Sequence, residues 1–390
     1  MLNSLRTRRT GLLPDEGIVA PVPVSEHDDL ARDVYGLLGV PIDAIDFPVL
    51  LRRMAEAAER GWPALISTPN VNFLVKSQCN AAFRESILAS DLCLVDGMPL
   101  IWIAKFLRIP IKERIAGSDL FGRLKARRDM GPRIRVFLFG GQDDLVAKVG
   151  DILNATNSGM QCVGALNPGF GTIEEMSSPQ IIEAINESGA DLLAVFLGAE
   201  KAQAWLMHNH RSLRPPVRAQ FGATINFEAG TVRRAPPLLR STGFEWLWRI
   251  KEEPHLWRRY LSDGTTLLRM LVTSVLPTMM QLRRVPQDAP LSVLVDEEPS
   301  WVTVRLTGAA IEVNLGTALA QFRAALSTGK IIRIDLAQVG SIDARFFGLF
   351  LMLRKTVARR GQSLQFTGIS RAVRRLFRLN RFEYLLPADI

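Results

Sequence analysis

Cysteine is scarce in this chain, with Cys79, Cys93 and Cys162 alone among 390 residues and no C-x-x-C pair. So sparse and odd a set provides no disulfide framework and fits a reducing compartment. Histidine is nearly as rare, with four in all. His208 and His210 form an H-x-H whose rings would leave a helix on different faces, so no shared metal site is expected there. No run of about 18 uninterrupted apolar residues occurs, so no helix is expected to span a membrane. Arg6, Arg8 and Arg9 are followed by no apolar stretch of the kind that secretory signals carry, so no such signal is expected and a cytoplasmic protein is.

What is present is an ordinary globular composition, 47 % apolar and 22 % charged, which excludes a disordered or collagen-like chain. Lysine and arginine number 48 against 39 acidic residues, a net charge of +9. Such a balance points to an anionic partner: nucleic acid, an acidic membrane surface or a phosphorylated substrate. Residues 1–38, rich in Pro, Arg and Asp, read as a flexible leader. Four apolar runs then follow, Ala64–Ser67, Asp91–Val95, Val136–Phe139 and Leu192–Leu197. Each ends in a Gly or polar turn and is followed by helical apolar spacing, which predicts a parallel α/β sheet covered on both faces. Ligands of such sheets sit at the carboxyl ends of the strands. Residues 263–290 hold a largely apolar stretch closed by Arg283-Arg284 and a linker with two prolines. A second, smaller α/β domain is expected over 291–390.

The strand ends carry the candidate chemistry. Thr68-Pro69-Asn70 offers a hydroxyl and an amide to a sugar or phosphate, or simply turns and caps the next helix. Asp96-Gly97 offers a carboxylate that could act as a general base, or a cap. Gly140-Gly141, opening a helix, could bring backbone N–H groups to a phosphate. The arginines and tryptophans of 246–259 could stack on nucleic acid, lie on a membrane, clamp a diphosphate or form a solvated helix face.

In order along the chain, Thr68-Pro69-Asn70, Asp96-Gly97 and Glu113-Arg114-Ile115-Ala116-Gly117-Ser118-Asp119 resemble the T-x-N, D-G and E-R-x-x-G-x-D blocks of the WecG/TagA/CpsF glycosyltransferases. Phe139-Gly140-Gly141, Asn167-Pro168-Gly169-Phe170, Phe221-Gly222-Ala223 through Gly230, Arg234-Ala235-Pro236, Glu245-Trp246-Leu247-Trp248-Arg249, Glu253-Pro254 and Arg258-Arg259-Tyr260 continue the likeness, which covers about 40–262. The resemblance implies a Rossmann-like glycosyltransferase core over 39–262. It also implies inverting transfer from a UDP-sugar, with N-acetylmannosamine or glucose as the sugar, to a polyprenyl-diphosphate-linked acceptor in surface polysaccharide synthesis. No metal cofactor is implied, and no convincing D-x-D, the manganese-nucleotide signature of many sugar transferases, ends a strand. By this likeness Asp96 is the catalytic base. Thr68 and Asn70 lie by the donor, Gly140 and Gly141 approach the nucleotide, and Arg234, Arg249 and Arg258 or Arg259 meet the diphosphate. One block departs: the family's L-G-x-P-K-Q-E-x-W is here Leu197-Gly198-Ala199-Glu200-Lys201-Ala202-Gln203-Ala204-Trp205. Lys201 and Gln203 are expected at the substrate, Gln203 standing one position beyond the lost amide and about 100° round the helix from it.

Residues 291–386 resemble a STAS domain, the fold of anti-sigma-factor antagonists, through Ile331–Leu336, Ile342-Asp343 and the helix that follows. The phosphorylatable serine of that pattern is here Ala344, followed by Arg345-Phe346, so no phosphorylation switch exists at that position. The resemblance implies a docking module for a protein partner, or a structural, dimerising appendage. The whole chain is thus expected to be a peripheral enzyme on the inner face of the cytoplasmic membrane. Residues 263–290 would associate with anionic lipid, and nucleic acid would not be a partner. The alternative is a sugar-nucleotide-binding or regulatory protein without turnover.

Overall fold

The computed structural model describes residues 28–127, 132–142, 144–286 and 288–387. Residues 1–27 of the expected leader and the last three of the chain lie outside them. The leader does not run to 38. Asp29–Ala31 is a 3-10 turn, and Val34–Leu37 (β1) pairs antiparallel with Val40–Asp43 (β2). Leu38 and Gly39 join them at φ of 47° and 93°, the left-handed pair that a two-residue hairpin requires. Val34, Leu37, Val40 and Ile42 are fully buried, so this short hairpin belongs to the core.

After helix α1 (Phe47–Arg60), capped by Asp46, six parallel strands form the main sheet. They are β3 (Ala64–Ser67), β4 (Leu92–Cys93), β5 (Ile134–Gly140), β6 (Met160–Leu166), β7 (Leu192–Phe196) and β8 (Val217–Gln220), in the spatial order β4-β3-β8-β7-β5-β6. The chain steps outward from β3 to β4, outward again from β5 to β6 on the far side, and fills the gap with β7 and β8. Helices α2 (Val71–Cys79) and α3 (Ala81–Ala89) make the first crossover, and α4 (Met98–Phe106) and α5 (Gly117–Ala126) the second. Helices α6 (Leu145–Ala155), α7 (Pro179–Glu187) and α8 (Ala199–Asn209) make the remaining three. Strands β6 and β8 go beyond the four apolar runs of the sequence. Strand β6 is an edge with one face half-exposed. Strand β8 is buried but carries Arg218, whose guanidinium donates to the carbonyls of Pro215, His210 and Leu213 at 2.6–2.9 Å. A buried arginine satisfied this way is stable, yet it hides the strand from hydropathy.

Short helices α9 (Thr224–Glu228), α10 (Pro237–Ser241) and α11 (Glu245–Glu252) follow β8. A longer run comes next: α12 (Trp257–Met270), a π turn (Leu271–Val275) and α13 (Leu276–Leu282). The π turn sits just before Pro277, whose missing N–H an ordinary helix could not accommodate. Asp263, Met270, Ser274, Val275 and Thr278 face the core, while Trp257, Leu261, Leu268, Val272, Leu276 and Met280 are exposed along the other side. Among the described residues no helix is long and apolar enough to cross a membrane.

The C-terminal domain has strands β9 (Leu291–Glu297), β10 (Trp301–Ala310), β11 (Ile331–Ile342) and β12 (Leu364–Thr367), ordered β12-β11-β10-β9 with only β9 antiparallel. Helices α14 (Leu315–Ser327), α15 (Ala344–Arg359) and α16 (Arg371–Leu379) complete it. Helix α15 lies between its own sheet and the hairpin β1–β2, and nearly every residue from Ala344 to Leu353 is buried. Gly348 is where the two meet, since a Cβ there would overlap the Val34 backbone. Leu30, Val34 and Leu88 accordingly share one apolar cluster with Phe346, Phe347 and Phe350.

Candidate active site

The site is built at the carboxyl ends of β3 and β4. The amide of Leu94 donates to Ser67 O at 2.8 Å and that of Asp96 to Pro69 O at 2.9 Å, so the ladder continues past the strands and sets Asp96 beside Thr68-Pro69-Asn70. Gly97, at φ 106°, makes the turn into α4 that leaves the Asp96 side chain at the sheet end. Thr68 is buried and Asn70 half-buried. Asn70 Oδ1 accepts from Phe73 N at 3.1 Å as the cap of α2, so its oxygen serves the helix while its NH2 is left for other partners.

Ile115 N donates to Val95 O at 2.9 Å, which draws the Glu113–Asp119 block against the end of β4. Asp119, in the first turn of α5, is the hub. Arg114 bonds it at 2.6 Å, Arg240 reaches it at 3.4 Å, and Arg234 pairs with it while donating to Ser118 Oγ at 2.9 Å. Arg114 also holds Glu245 at 3.1 Å. Asp96 lies in the field of this group. Burial pushes its carboxyl up to about 7, Glu245 and Asp119 adding to the rise and Arg114 and Arg234 opposing it. Among the described residues that follow β8, Arg234 Nε, Arg240 Nε and Arg249 Nη1 are buried without an acceptor. Arrays of N–H donors of this kind suit phosphate oxygens.

The structure thus brings together Thr68, Asn70, Asp96 and Arg234 from the sequence reading. It adds Arg114, Asp119, Arg240 and Glu245. Three of these four stand in the blocks already quoted, and Arg240 has no signal beyond its place after Arg234-Ala235-Pro236. Gly140 and Gly141 take φ of 99° and 82° at the end of β5, and a Cβ on Gly140 would come within 2.9 Å of Leu197. The Gly141 N–H already donates to Phe196 O, so it does not point at a ligand. Arg249 pairs with Glu253 at 2.8 Å and stacks over Phe227. Arg258 and Arg259 are exposed on the first turn of α12, stacked over Trp257 and Tyr260, and the ion pairs around Asp96 run through other arginines.

The altered block of α8 also has a definite geometry. Glu200 pairs with Lys76 and accepts from Asn80 at 3.1 Å, tying α8 to α2 and α3. Lys201 is half-buried and Ala202 fully buried. Gln203, expected at the substrate, is instead fully buried, and its amide donates to Ser67 Oγ beneath the sheet end. The physical reason is the one-residue offset, which turns position 203 onto the strand rather than the cleft. His208 is exposed and His210 half-buried against Arg218, so the two do not converge. Among the described residues no group of His, Cys, Asp and Glu is arranged to hold a metal ion.

The family description "Glycosyl transferase WecG/TagA/CpsF family" matches residues 35–280, and "Mlab, STAS domain" matches residues 293–387. Two N-acetylglucosaminyldiphosphoundecaprenol N-acetyl-beta-D-mannosaminyltransferases are similar to the N-terminal part. The protein of Bacillus spizizenii is 28 % identical over 200 residues, which are 51 % of this chain and 75 % of the relative. That of Bacillus subtilis strain 168 is 26 % identical over the same spans.

Proposed function

The chain belongs to the WecG/TagA/CpsF glycosyltransferase family, and from that premise we propose that it moves a sugar from a UDP-sugar to a polyprenyl-diphosphate-linked acceptor, with inversion, in surface polysaccharide synthesis. The observation that carries the reading is Asp96: a carboxylate at a strand end, held by burial near neutral pKa, among arginines with unpaired buried donors. A carboxylate with that pKa is deprotonated in a large fraction of molecules at pH 7 and still basic enough to take a proton from a sugar hydroxyl. That hydroxyl then attacks the anomeric carbon from the side opposite the diphosphate. The negative charge growing on the leaving UDP meets Arg234, Arg240 and Arg249, so the reading calls for arginine donors rather than a metal at the diphosphate. Arg114 and Asp119 hold these groups in place, and Thr68 and the Asn70 amide lie where they would face the donor sugar. Arg258 and Arg259 belong, in this reading, to the acceptor's diphosphate or the lipid surface.

The exposed apolar stripe from Trp257 to Met280 is flanked by Arg258, Arg259, Arg269, Arg283 and Arg284. It fits an interfacial helix on the anionic, cytoplasmic face of a membrane, where a polyprenyl-linked acceptor resides.

The test is incubation of the full chain with a panel of UDP-sugars and a polyprenyl-diphosphate-linked N-acetylglucosamine, with products read by mass spectrometry. One added hexose or N-acetylhexosamine is expected, and no product from any donor would overturn the catalytic reading. The inward turn of Gln203 and the alanine at 202 favour a second reading, a UDP-sugar-binding protein without turnover. Calorimetric binding of UDP with no product formed would identify it. Co-sedimentation with anionic vesicles, weakening as salt rises, is expected of the lipid-facing stripe; no sedimentation at low salt would remove the membrane role.

A further inference from the structure

Strand β4, which leads to Asp96, has only two residues and is the outermost strand of its sheet. An edge so short has little to hold it on its outer side. Among the described residues no seventh strand pairs with it; side chains hold it instead. Asp43 Oδ2 accepts from Cys93 N at 2.7 Å. At the start of the strand, Asp91 Oδ2 accepts from Leu65 N at 3.0 Å while Asp91 N donates to Leu65 O at 2.8 Å, locking β4 to β3. Asp91 Oδ1 in turn is gripped by two side chains of α15, Lys355 at 3.0 Å and Arg359 at 2.7 Å. Lys355 also donates to Ser90 O at 2.8 Å. Asp29 and Arg32 close the group: Asp29 binds Lys355, Arg359 and Arg32, and Arg32 binds Asp43. Three carboxylates meet three cations, and none of the six side chains is more than 16 % exposed.

From this group a continuous ladder runs to the site: Asp91 N to Leu65 O, Leu94 N to Ser67 O, Asp96 N to Pro69 O. We infer that the C-terminal domain positions the Asp96 loop from within the same chain, with Lys355 and Arg359 as positioning residues that grip the start of β4. The inference rests on the catalytic reading of Asp96 for its consequence, but not for its mechanics. It also gives the C-terminal domain a partner, the edge of the transferase sheet, through the helix whose first turn carries Ala344 where a STAS pattern has serine. That turn is buried in the joint between domains, where a phosphate would find no room.

The experiment compares the full chain with Lys355→Met, Lys355→Arg and Arg354→Met. Arg354 also crosses the interface, but to Glu85 on α3, away from β4. Hydrogen exchange of the Leu94 and Asp96 amides is measured by mass spectrometry, together with kcat and KM for the UDP-sugar. Lys355→Met is expected to speed exchange at both amides and to lower kcat about 10- to 100-fold with KM unchanged, since a small misplacement of a reacting group has that effect. Lys355→Arg should restore both readouts, and Arg354→Met should alter neither. A folded Lys355→Met with ordinary exchange and kcat overturns the inference, as does an equal effect from Arg354→Met. Where Lys355→Met fails to fold, Asp29→Asn with Lys355→Met removes one acid and one cation together and should give the same signature. Failure of that pair to fold also overturns the inference, because positioning presupposes a fold that survives loss of the grip. Absence of turnover in the unaltered protein would remove the catalytic reading alone, since the exchange measurement still decides the coupling.

Discussion

Two charge clusters sit at opposite ends of strand β4, five residues apart, and they behave in opposite ways. At the start, burial would raise Asp91, but Lys355 and Arg359 overcome it and hold the carboxyl well below the usual range. At the end, burial prevails and Asp96 is pushed up to about 7, although Arg114 and Arg234 oppose it. The first cluster is balanced, three acids against three cations. The second keeps buried arginine donors without acceptors and a carboxylate poised to exchange a proton. Residue type does not separate them, since both join carboxylates to cations, chiefly Asp to Arg. What separates them is whether every charge already has its partner, and that is what distinguishes a structural joint from a site with chemistry left to do.

Exchanging the two aspartates for asparagine tests this contrast most strongly. Asp96→Asn is expected to lower turnover by about 10²- to 10⁴-fold, the range that general-base groups contribute, with the fold and UDP binding retained. Asp91→Asn should act first on the fold, with turnover falling only as far as the Asp96 loop loosens, about 10- to 100-fold. It leaves Lys355 and Arg359 facing Asp29 alone, and breaking a buried pair from one side costs about 3–5 kcal/mol. Urea denaturation and turnover, measured on both variants at one pH, decide it. An unfolded Asp96→Asn or a neutral Asp91→Asn would dissolve the distinction.

Protonation separates the clusters by sign. The unfolded Asp96 titrates near 3.8 and the folded one near 7, so between these values the native state binds the extra proton. Its contribution to stability therefore falls as pH rises from about 4 to about 7 and is level above that. Asp96→Asn removes the penalty, so its stability relative to the unaltered chain should climb over this window by up to about 4 kcal/mol. Asp91 runs the other way: its contribution is present above pH 4 and is lost as pH falls below it. Turnover should rise along an acid limb centred near 7. Denaturation at pH 4, 5.5, 7 and 8 and a rate profile check both, and a rate flat from pH 5 to 8 would remove Asp96 as the base.

Much of the Asp96 end was legible in the sequence and little of the Asp91 end. Thr68, Asn70 and Asp96 stand in short blocks at strand ends and Arg234 in a block between α9 and α10, where Gly or Pro makes the turn visible. Strand β3, which Thr68 and Asn70 follow, is largely buried and reads as an apolar run, as do β5 and β7. Strand β8 escaped because Arg218 interrupts it, and the hairpin β1–β2 because Asp33, Asp43 and Pro41 surround its apolar residues. Gln203 was misplaced for a geometric reason, since one residue of helix decides between cleft and strand. The joint between domains had no signal of its own. Asp29, Arg32, Asp91, Lys355 and Arg359 come from three segments, the outermost partners 330 residues apart, and each alone looks like an ordinary surface charge.

Helix α15 itself offers the finest test, because Arg354 and Lys355 are neighbours with opposite surroundings. Arg354 donates to both oxygens of Glu85 at 2.9 and 3.0 Å, a geometry as good as any in the buried group. Its side chain is 37 % exposed and that of Glu85 47 %, while Lys355 is 6 % exposed. Water already solvates the first pair, so Arg354→Met should cost no more than about 1 kcal/mol, less still at high salt. Lys355→Met leaves three buried carboxylates facing two cations and should cost about 3–5 kcal/mol, with little change at high salt. Urea unfolding of the two variants at low and high sodium chloride reads both terms. Equal losses would mean that burial is not what separates the two pairs, and the contrast between the ends of β4 would lose its physical basis.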